Sequence, residues 1–326
     1  MQPNPTERDS SALYTQRMNK VLDHIDRHLD QNLELADLAE VAHFSAFHFH
    51  RVFAAWMGET LGDYLRRRRL DVAALYLVIE PTMPVLEIAL NVGFGSGEAL
   101  ARAFKLRFAS TPSQWREQAP RRWAEQLHAA RRLAEQAQSN LDQALSNPDQ
   151  LPQRHAVNYQ DSSISHPEFC MKVTIQTLPP VRVAYLRHIG PYGPAISRFW
   201  PEQVMPWLIA HGLEKAPRYG IGHDDPLITE GAKCRYDACV PVAPDFVAKN
   251  PAGIAELPGG RYACAEFFGD GPAASLAWTE LLREWLPKSG YQVDSRPFFE
   301  YYPADARYDL ETGRFECQLC VPLRGL

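Results

Sequence analysis

Between Leu35 and Trp56 the apolar positions follow two helical phases separated by a short break. Leu35, Leu38, Ala39 and Ala42 fall at i, i+3, i+4 and i+7, one face of a short helix. His43 and Phe44 interrupt the phase. Ser45 then offers a hydroxyl to cap a new helix, and Phe49, Val52, Phe53 and Trp56 form a second stripe at the same spacing. Two short helices joined by a tight turn around a shared core predict a helix-turn-helix. At about 100° per residue, the surface opposite the second stripe carries Phe47, Arg51 and Ala54, with His50 at its edge. The same hairpin serves plain packing in many all-α proteins, so alone it assigns no function.

Sliding the stretch 51 positions along the chain reproduces it. Leu35 falls on Leu86, Ala39 on Leu90, Ser45 on Ser96, Phe49 on Leu100, Arg51 on Arg102 and Phe53 on Phe104. The second copy points Glu98, Arg102 and Lys105 outward. A repeat that keeps core, cap and outward arginine in register predicts two equivalent units. Between them Leu61 to Ile79 reads as one helix of nineteen residues, roughly 28 Å long. That approaches the ~34 Å between successive major-groove segments on one side of DNA. Within it Arg66–Arg69 cover a full turn, so at most two of the four can reach a duplex; the plain alternative is a solvated helix face.

Residues of about 15 to 120 resemble the DNA-binding domain of AraC/XylS-type transcription regulators. The matching segments are the first helix-turn-helix, GETLGDYLRRRRL from Gly58, and IALNVGFGSGEALARAFKLRFASTPSQWR, with Gly93-Phe94 and Thr111 to Arg116 the most specific parts. The resemblance implies that two recognition helices enter adjacent major grooves of double-stranded DNA. Phe47, His50 and Arg51 would face bases in the first groove, and Glu98, Ala101 and Arg102 occupy the matching positions in the second. Gly97, Glu98 and Ala101 replace polar residues found in some relatives, so base reading by the second helix is expected to be thinner. Arg66, Arg69 and Lys105 complete the expected DNA-facing set.

Composition narrows the setting. The chain has 326 residues, 45% hydrophobic and 22% charged, with net charge −5. The length suits two domains. No apolar run reaches about 18 residues and the polar N-terminus lacks a signal-peptide core, so a cytoplasmic protein with reduced cysteines and no membrane partner is expected. Cys317 and Cys320 form a lone C-x-x-C, and Cys234 and Cys239 a C-x4-C, without the partners a zinc site needs. The acidic balance argues mildly against nucleic acid, but the signs are segregated. Acidic residues dominate Asp23 to Glu40, whereas Arg51, Arg66–Arg69, Arg102, Lys105, Arg107, Arg116, Arg121 and Arg122 follow, which allows one basic face toward phosphates.

Met18 to Leu33 predicts an amphipathic first helix over the first unit. Trp123 to Ala144 carries an alanine-rich seam at spacings of four and three, expected to dock on its own protein more than to form a dimer stem. Ser146 to His166, with Pro148 and Pro152, reads as a linker. The domains are thus placed at 12–120, 121–168 and 169–326. The last also repeats: LPPVRVAYLRHIG from Leu178 aligns with LPGGRYACAEFFG from Leu257, 79 positions on. Each is followed by an amphipathic helix ending near Gly212 or Gly290, and by a closing strand containing Cys239-Val240-Pro241 or Cys320-Val321-Pro322. The fold class is therefore an all-α tandem helix-turn-helix domain joined to an α+β domain of two strand-helix-strand-strand repeats. The second domain resembles the GyrI-like effector-binding domain found joined to other multidrug-sensing regulators.

Its chemistry centres on Arg296 to Tyr302. Strand alternation puts Phe298, Glu300 and Tyr302 on one face. A carboxylate among aromatic rings suits a cation, each ring adding about 0.5–2 kcal/mol of cation–π attraction; an exposed edge-strand Glu is the plain alternative. The resemblance places Glu300 at the glutamate that GyrI-like binders use for cationic amphiphiles. Tyr192, Trp200, Tyr236 and Phe267 are the candidate walls, on elements expected to meet between the repeats. The expected function is a transcription regulator controlled by a small effector, acting as a monomer on DNA and touching RNA polymerase if it activates. A protein-interaction role for the second domain, or hydrolysis as in some GyrI-like relatives, is the alternative. No cofactor, metal or catalytic set is expected, since no Ser-His-Asp set, metal cluster or phosphate loop is legible.

Overall fold

The computed structural model describes residues 5–119, 121–122, 125, 132, 171–294, 296–309 and 312–324. The seam expected from Trp123 to Ala144 and the linker expected from Ser146 to His166 lie outside the described residues.

The first half is helical: α1 (Pro5–Arg27), α2 (Leu35–Val41), α3 (Ala46–Met57), α4 (Leu61–Ile79), α5 (Val85–Asn91), α6 (Gly97–Phe108) and α7 (112–119). The two caps act as the repeat requires. Ser45 accepts the His48 backbone N–H at 3.4 Å, and Ser96 accepts that of Ala99 at 3.1 Å. Gly58 closes α3 in the left-handed region, and Thr60 caps α4 by accepting the Asp63 N–H. Both units share α4. Its first turns, through Leu61 and Tyr64, complete a core with Met18, Leu22, Ile25, Leu38, Phe49 and Phe53. Its later turns, through Leu70, Ala73, Ala74 and Leu77, complete a second core with Ile88, Leu100, Phe104 and Trp115. Trp115 Nε1 donates to the Ala74 carbonyl at 3.2 Å, tying α7 to α4, the strut between the two units.

Two local expectations are corrected. α1 begins earlier than Met18 and ends at Arg27 rather than near Leu33. The carbonyls of Leu29 and Gln31 accept from Arg69 Nε at 3.1 Å and Nη2 at 2.6 Å, which fixes the chain beyond the helix in a turn. Trp56 belongs to the second stripe by spacing, yet it is 37% exposed, while Phe49 and Phe53 are fully buried.

The second half is one eight-stranded antiparallel sheet of β1 (Val173–Leu178), β2 (Val181–Ile189), β3 (Arg218–Gly222), β4 (Arg235–Pro241), β5 (Gly253–Leu257), β6 (Gly260–Gly269), β7 (Phe299–Tyr302) and β8 (Phe315–Pro322). The order is β1-β6-β8-β7-β3-β4-β2-β5. Each repeat is longer by one leading strand than its sequence pattern indicated, and the leading strands cross over: β1 pairs with β6 of the other repeat, and β5 with β2. Both lie at sheet edges with mixed burial, so their apolar alternation is weak. The halves meet where β3 pairs with β7, Gly220 opposite Glu300. Helices cover one face: α8 (Pro194–Phe199), a π segment (Trp200–Val204) and α9 (Met205–Ala210) over the first repeat, then α10 (Gly271–Glu280), a π segment (Leu281–Trp285) and α11 (Leu286–Ser289) over the second. Cys234, Cys239, Cys264, Cys317 and Cys320 are all buried, apolar packing elements of the sheet domain.

Candidate functional site

The DNA-facing candidates divide by exposure. On α3 Phe47 is 76% exposed, His50 and Arg51 are exposed, and the Arg51 guanidinium lies 5.8 Å from the Phe47 ring centre. On α6 Glu98, Arg102 and Lys105 are exposed and Ala101 is half-buried. These two faces are open because the opposite faces, Phe49 with Phe53 and Leu100 with Phe104, fill the two cores. The arginine run of α4 behaves differently. Arg67 binds Glu59 and Asp71, and Arg68 binds Asp26 and Asp224, both arginines being buried. Arg69 spends its guanidinium on the Leu29 and Gln31 carbonyls, and only Arg66 remains exposed. Gly93, at φ +83, explains its place beside them: a Cβ there would lie 2.5 Å from the Leu29 oxygen and 2.8 Å from Arg69 Cζ.

The second site forms at the junction of the repeats, where β7, β3 and β4 run side by side beneath the two helical layers. Glu300 projects from β7 toward the helices. Its Oε2 accepts from Tyr302 Oη at 2.7 Å and Tyr236 Oη at 3.3 Å, and its Oε1 accepts from Trp278 Nε1 at 3.1 Å. Trp200 Nε1 donates to Tyr236 Oη at 3.3 Å, and the Trp200 and Tyr302 rings lie 5.7 Å apart. Tyr192 stands edge-on to Tyr236 at 6.2 Å. Gly220 makes this meeting of strands feasible, because a Cβ there would fall 2.1 Å from Tyr236 Oη and 2.8 Å from Glu300 Oε2. Glu300, Tyr302, Trp200, Trp278 and Tyr192 are half-buried, so the carboxylate is walled by rings that keep part of their surface exposed.

The electrostatics follow from that enclosure. Burial pushes the Glu300 carboxyl above its ordinary value, against the hydrogen bonds from Tyr302, Trp278 and Tyr236 that favour the anion. Burial, with the Glu300 charge added, drives the Tyr236 and Tyr302 hydroxyls well above the ordinary tyrosine value, so both stay protonated donors. Among the described residues no cationic side chain pairs with Glu300, whose partners are hydroxyls and an indole N–H.

Of the seven ligand-site candidates, Trp200, Tyr236, Glu300 and Tyr302 come together around one carboxylate, with Tyr192 behind Tyr236. Phe298 stands 6.4 Å from Trp278 at the rim. Phe267 is 8% exposed and packs on Phe315 at 5.5 Å; Phe315 in turn contacts Tyr302 at 5.8 Å, so Phe267 is one ring removed from the carboxylate. Trp278 escaped the sequence reading as a site residue, although its place in the repeat beside Trp200 was a usable signal. Gly220 carried none.

Comparison with known proteins matches both halves of the chain to known domains. Residues 171–324 match the GyrI-like small molecule binding domain, and residues 38–118 match a helix-turn-helix domain. The chain is 32% identical over 155 residues to the SPbeta prophage-derived putative transcriptional regulator YosT of Bacillus subtilis, covering 47% of this chain and 100% of that one. It is 37% identical over 92 residues to the regulatory protein SoxS of Escherichia coli, 28% of this chain and 85% of that protein. It is 40% identical over 92 residues to the Right origin-binding protein of Escherichia coli, of whose length it spans 32%.

Proposed function

The chain belongs to the AraC-type DNA-binding transcription regulators and carries a GyrI-like small-molecule binding domain; from this premise we propose that its effector is a cationic, partly aromatic molecule held against Glu300. The observation that carries this reading is the half-buried carboxylate that has no cationic partner among the described residues, ringed by Tyr236, Tyr302, Trp200 and Trp278. Desolvating a lone anion is costly, and a bound cation removes that cost while rings add cation–π attraction. A purely structural Glu gains more from an arginine or lysine, as buried Asp71, Asp237 and Asp224 do.

On the DNA side Phe47, His50 and Arg51 of α3 read one major-groove segment, and Glu98, Ala101, Arg102 and Lys105 of α6 face the next. Arg66 is the member of the arginine run that serves the backbone. The nineteen-residue strut sets the distance between the two heads. One chain then occupies an asymmetric site in the cytoplasm, and RNA polymerase is a partner if the protein activates. Among the described residues no helix is long and apolar enough to cross a membrane.

The test uses the full chain, an operator selected from random duplexes, and tetraphenylphosphonium as an aromatic permanent cation. Quenching of tryptophan fluorescence together with a change in operator affinity supports the reading. Saturating cation with no quenching and no effect on DNA refutes it.

A further inference from the structure

The face of the sheet turned away from the effector cage holds the DNA-binding half. Along β4 Tyr236, Ala238 and Val240 pack under α8 and α9, whereas Arg235 and Asp237 point the other way. There four side chains close a ring of alternating charge. Arg68 Nε donates to Asp26 Oδ1 at 2.9 Å, and Arg68 Nη1 to Asp224 Oδ1 at 2.9 Å. Arg235 Nε donates to Asp224 Oδ2 at 2.9 Å, and Arg235 Nη1 to Asp26 Oδ2 at 2.6 Å. Asp26 and Arg68 come from α1 and α4; Asp224 and Arg235 come from the sheet domain. Both Asp224 and Arg235 side chains are almost wholly buried, and the ring is neutral. Two further acids flank it. Asp23 of α1 accepts from Arg187 at 2.8 Å and from Tyr185 Oη at 2.5 Å. Asp71 of α4 accepts from Thr229 of the sheet domain at 3.0 Å and from Arg107 of α6 at 2.7 Å. The sheet domain thereby grips the first head, the strut and, through Asp71, the second head.

One cage residue touches this ring. Tyr192 Oη donates to the Arg235 carbonyl at 2.5 Å and accepts the Asp224 backbone N–H at 3.3 Å, while its ring meets Tyr236 in the cage. Asp224 and Arg235 are the two sheet-domain members of the ring. A buried ring of this kind tolerates no partial state, because loss of one partner strands an uncompensated charge. Whatever moves Tyr192 therefore bears directly on the two sheet-domain members of the ring.

We propose that the Asp26–Arg68–Asp224–Arg235 ring docks the DNA-binding half onto the sensor sheet, and that Tyr192 couples the effector cage to this docking. Docked, the outward faces of α3 and α6 are both open, so the ring stabilises a DNA-competent arrangement of the two heads. The trigger rests on the cage reading; the coupling through Tyr192 does not.

The test is hydrogen exchange and operator titration on the full chain. Tyr192→Phe keeps the ring and removes the hydroxyl. It should raise exchange at least fivefold in peptides covering 16–27 and 235–241 and weaken operator binding at least fivefold, a coupling within the usual allosteric range. Tyr291→Phe, which removes a hydroxyl of the sheet domain outside both the cage and the ionic ring, should leave both within twofold. Arg235 is deeply buried, so Asp26→Asn, at the more exposed member, checks the docking itself and should reproduce the Tyr192→Phe pattern. Wild-type exchange and operator affinity in Asp26→Asn overturn the docking, and the same result in Tyr192→Phe overturns the coupling. Tetraphenylphosphonium then separates the two readings. Failure to quench the wild type refutes the cage alone and leaves the ligand-free variants to decide the coupling. Quenching without any change in exchange over 16–27 overturns the coupling.

Discussion

Replacing Glu300 by Gln is the most discriminating perturbation of the cage, because the geometry lets the substitution change charge with little change in shape. Trp278 Nε1 can only donate, so the new carbonyl must face it, as Oε1 does now at 3.1 Å. The amide NH2 then faces Tyr302 and Tyr236, whose hydroxyls can turn to accept. A unit charge pair about 5 Å apart in an effective dielectric of about 20 gains roughly 3 kcal/mol. Desolvation of the incoming cation offsets part of this, and interactions of charged groups net about 1.5–3 kcal/mol. Tetraphenylphosphonium should therefore bind Glu300→Gln roughly 10- to 150-fold more weakly, as read by calorimetry on the full chain. Neutral triphenylphosphine oxide should bind both proteins within twofold. The pH dependence has a definite sign. The empty-state carboxyl is raised by burial, so below that pKa the cation must displace a proton. Wild-type affinity should fall as pH drops through the empty-state pKa, while the Gln variant stays flat. Equal cation affinity in the two proteins, or equal pH dependence, refutes the role of Glu300 as counter-charge.

Four further outcomes test the framework. Because the folded pKa of Glu300 is raised, its contribution to stability is full below the unfolded pKa and is lost as pH rises through the folded pKa; thermal melts of the empty protein should show Glu300→Gln gaining on the wild type over that rise and converging with it in acid. Gly220→Ala places a Cβ 2.1 Å from Tyr236 Oη, and overpacking of this kind costs about 1–3 kcal/mol, so melting should drop and tetraphenylphosphonium quenching should disappear. Arg51→Ala, on the open face of α3, should weaken the selected operator by ~1–3 kcal/mol and relax one base position, with Arg102→Ala the matching change in the second half-site; unaltered affinity of the folded variants removes these residues from the interface. Since one chain carries both heads on one strut, sedimentation on a short asymmetric site should give a 1:1 complex, and an exclusive 2:1 complex contradicts this.

The DNA-binding half was legible from sequence because its determinants are local. A 3.6-residue period and a serine before each recognition helix act within one or two turns, and the two recognition helices and the helix between them formed where those signals placed them. The aromatic–acidic strand was legible for the same reason, since alternation alone puts Phe298, Glu300 and Tyr302 on one face. The leading strands β1 and β5 were not, because an edge strand need bury only part of one face and carries little pattern.

Tertiary structure alone decided the fate of the arginine run. In sequence Arg66 to Arg69 are four equivalent cations on a helix. In the fold Arg67 and Arg68 are buried against acids from Glu59, Asp71, Asp26 and Asp224, Arg69 caps a turn, and one arginine stays in solvent. Their partners sit as far as 156 residues away, on elements whose approach is set by packing of whole domains. Each acid has an ordinary local context, so nothing near it marks it as half of a buried pair. The same holds for Gly220, whose missing side chain matters only once β4 and β7 have come to lie on either side of it. Periodicity encodes what a segment buries; which distant charge meets it there depends on the three-dimensional arrangement, because Coulomb energy follows distance in space and is indifferent to distance along the chain.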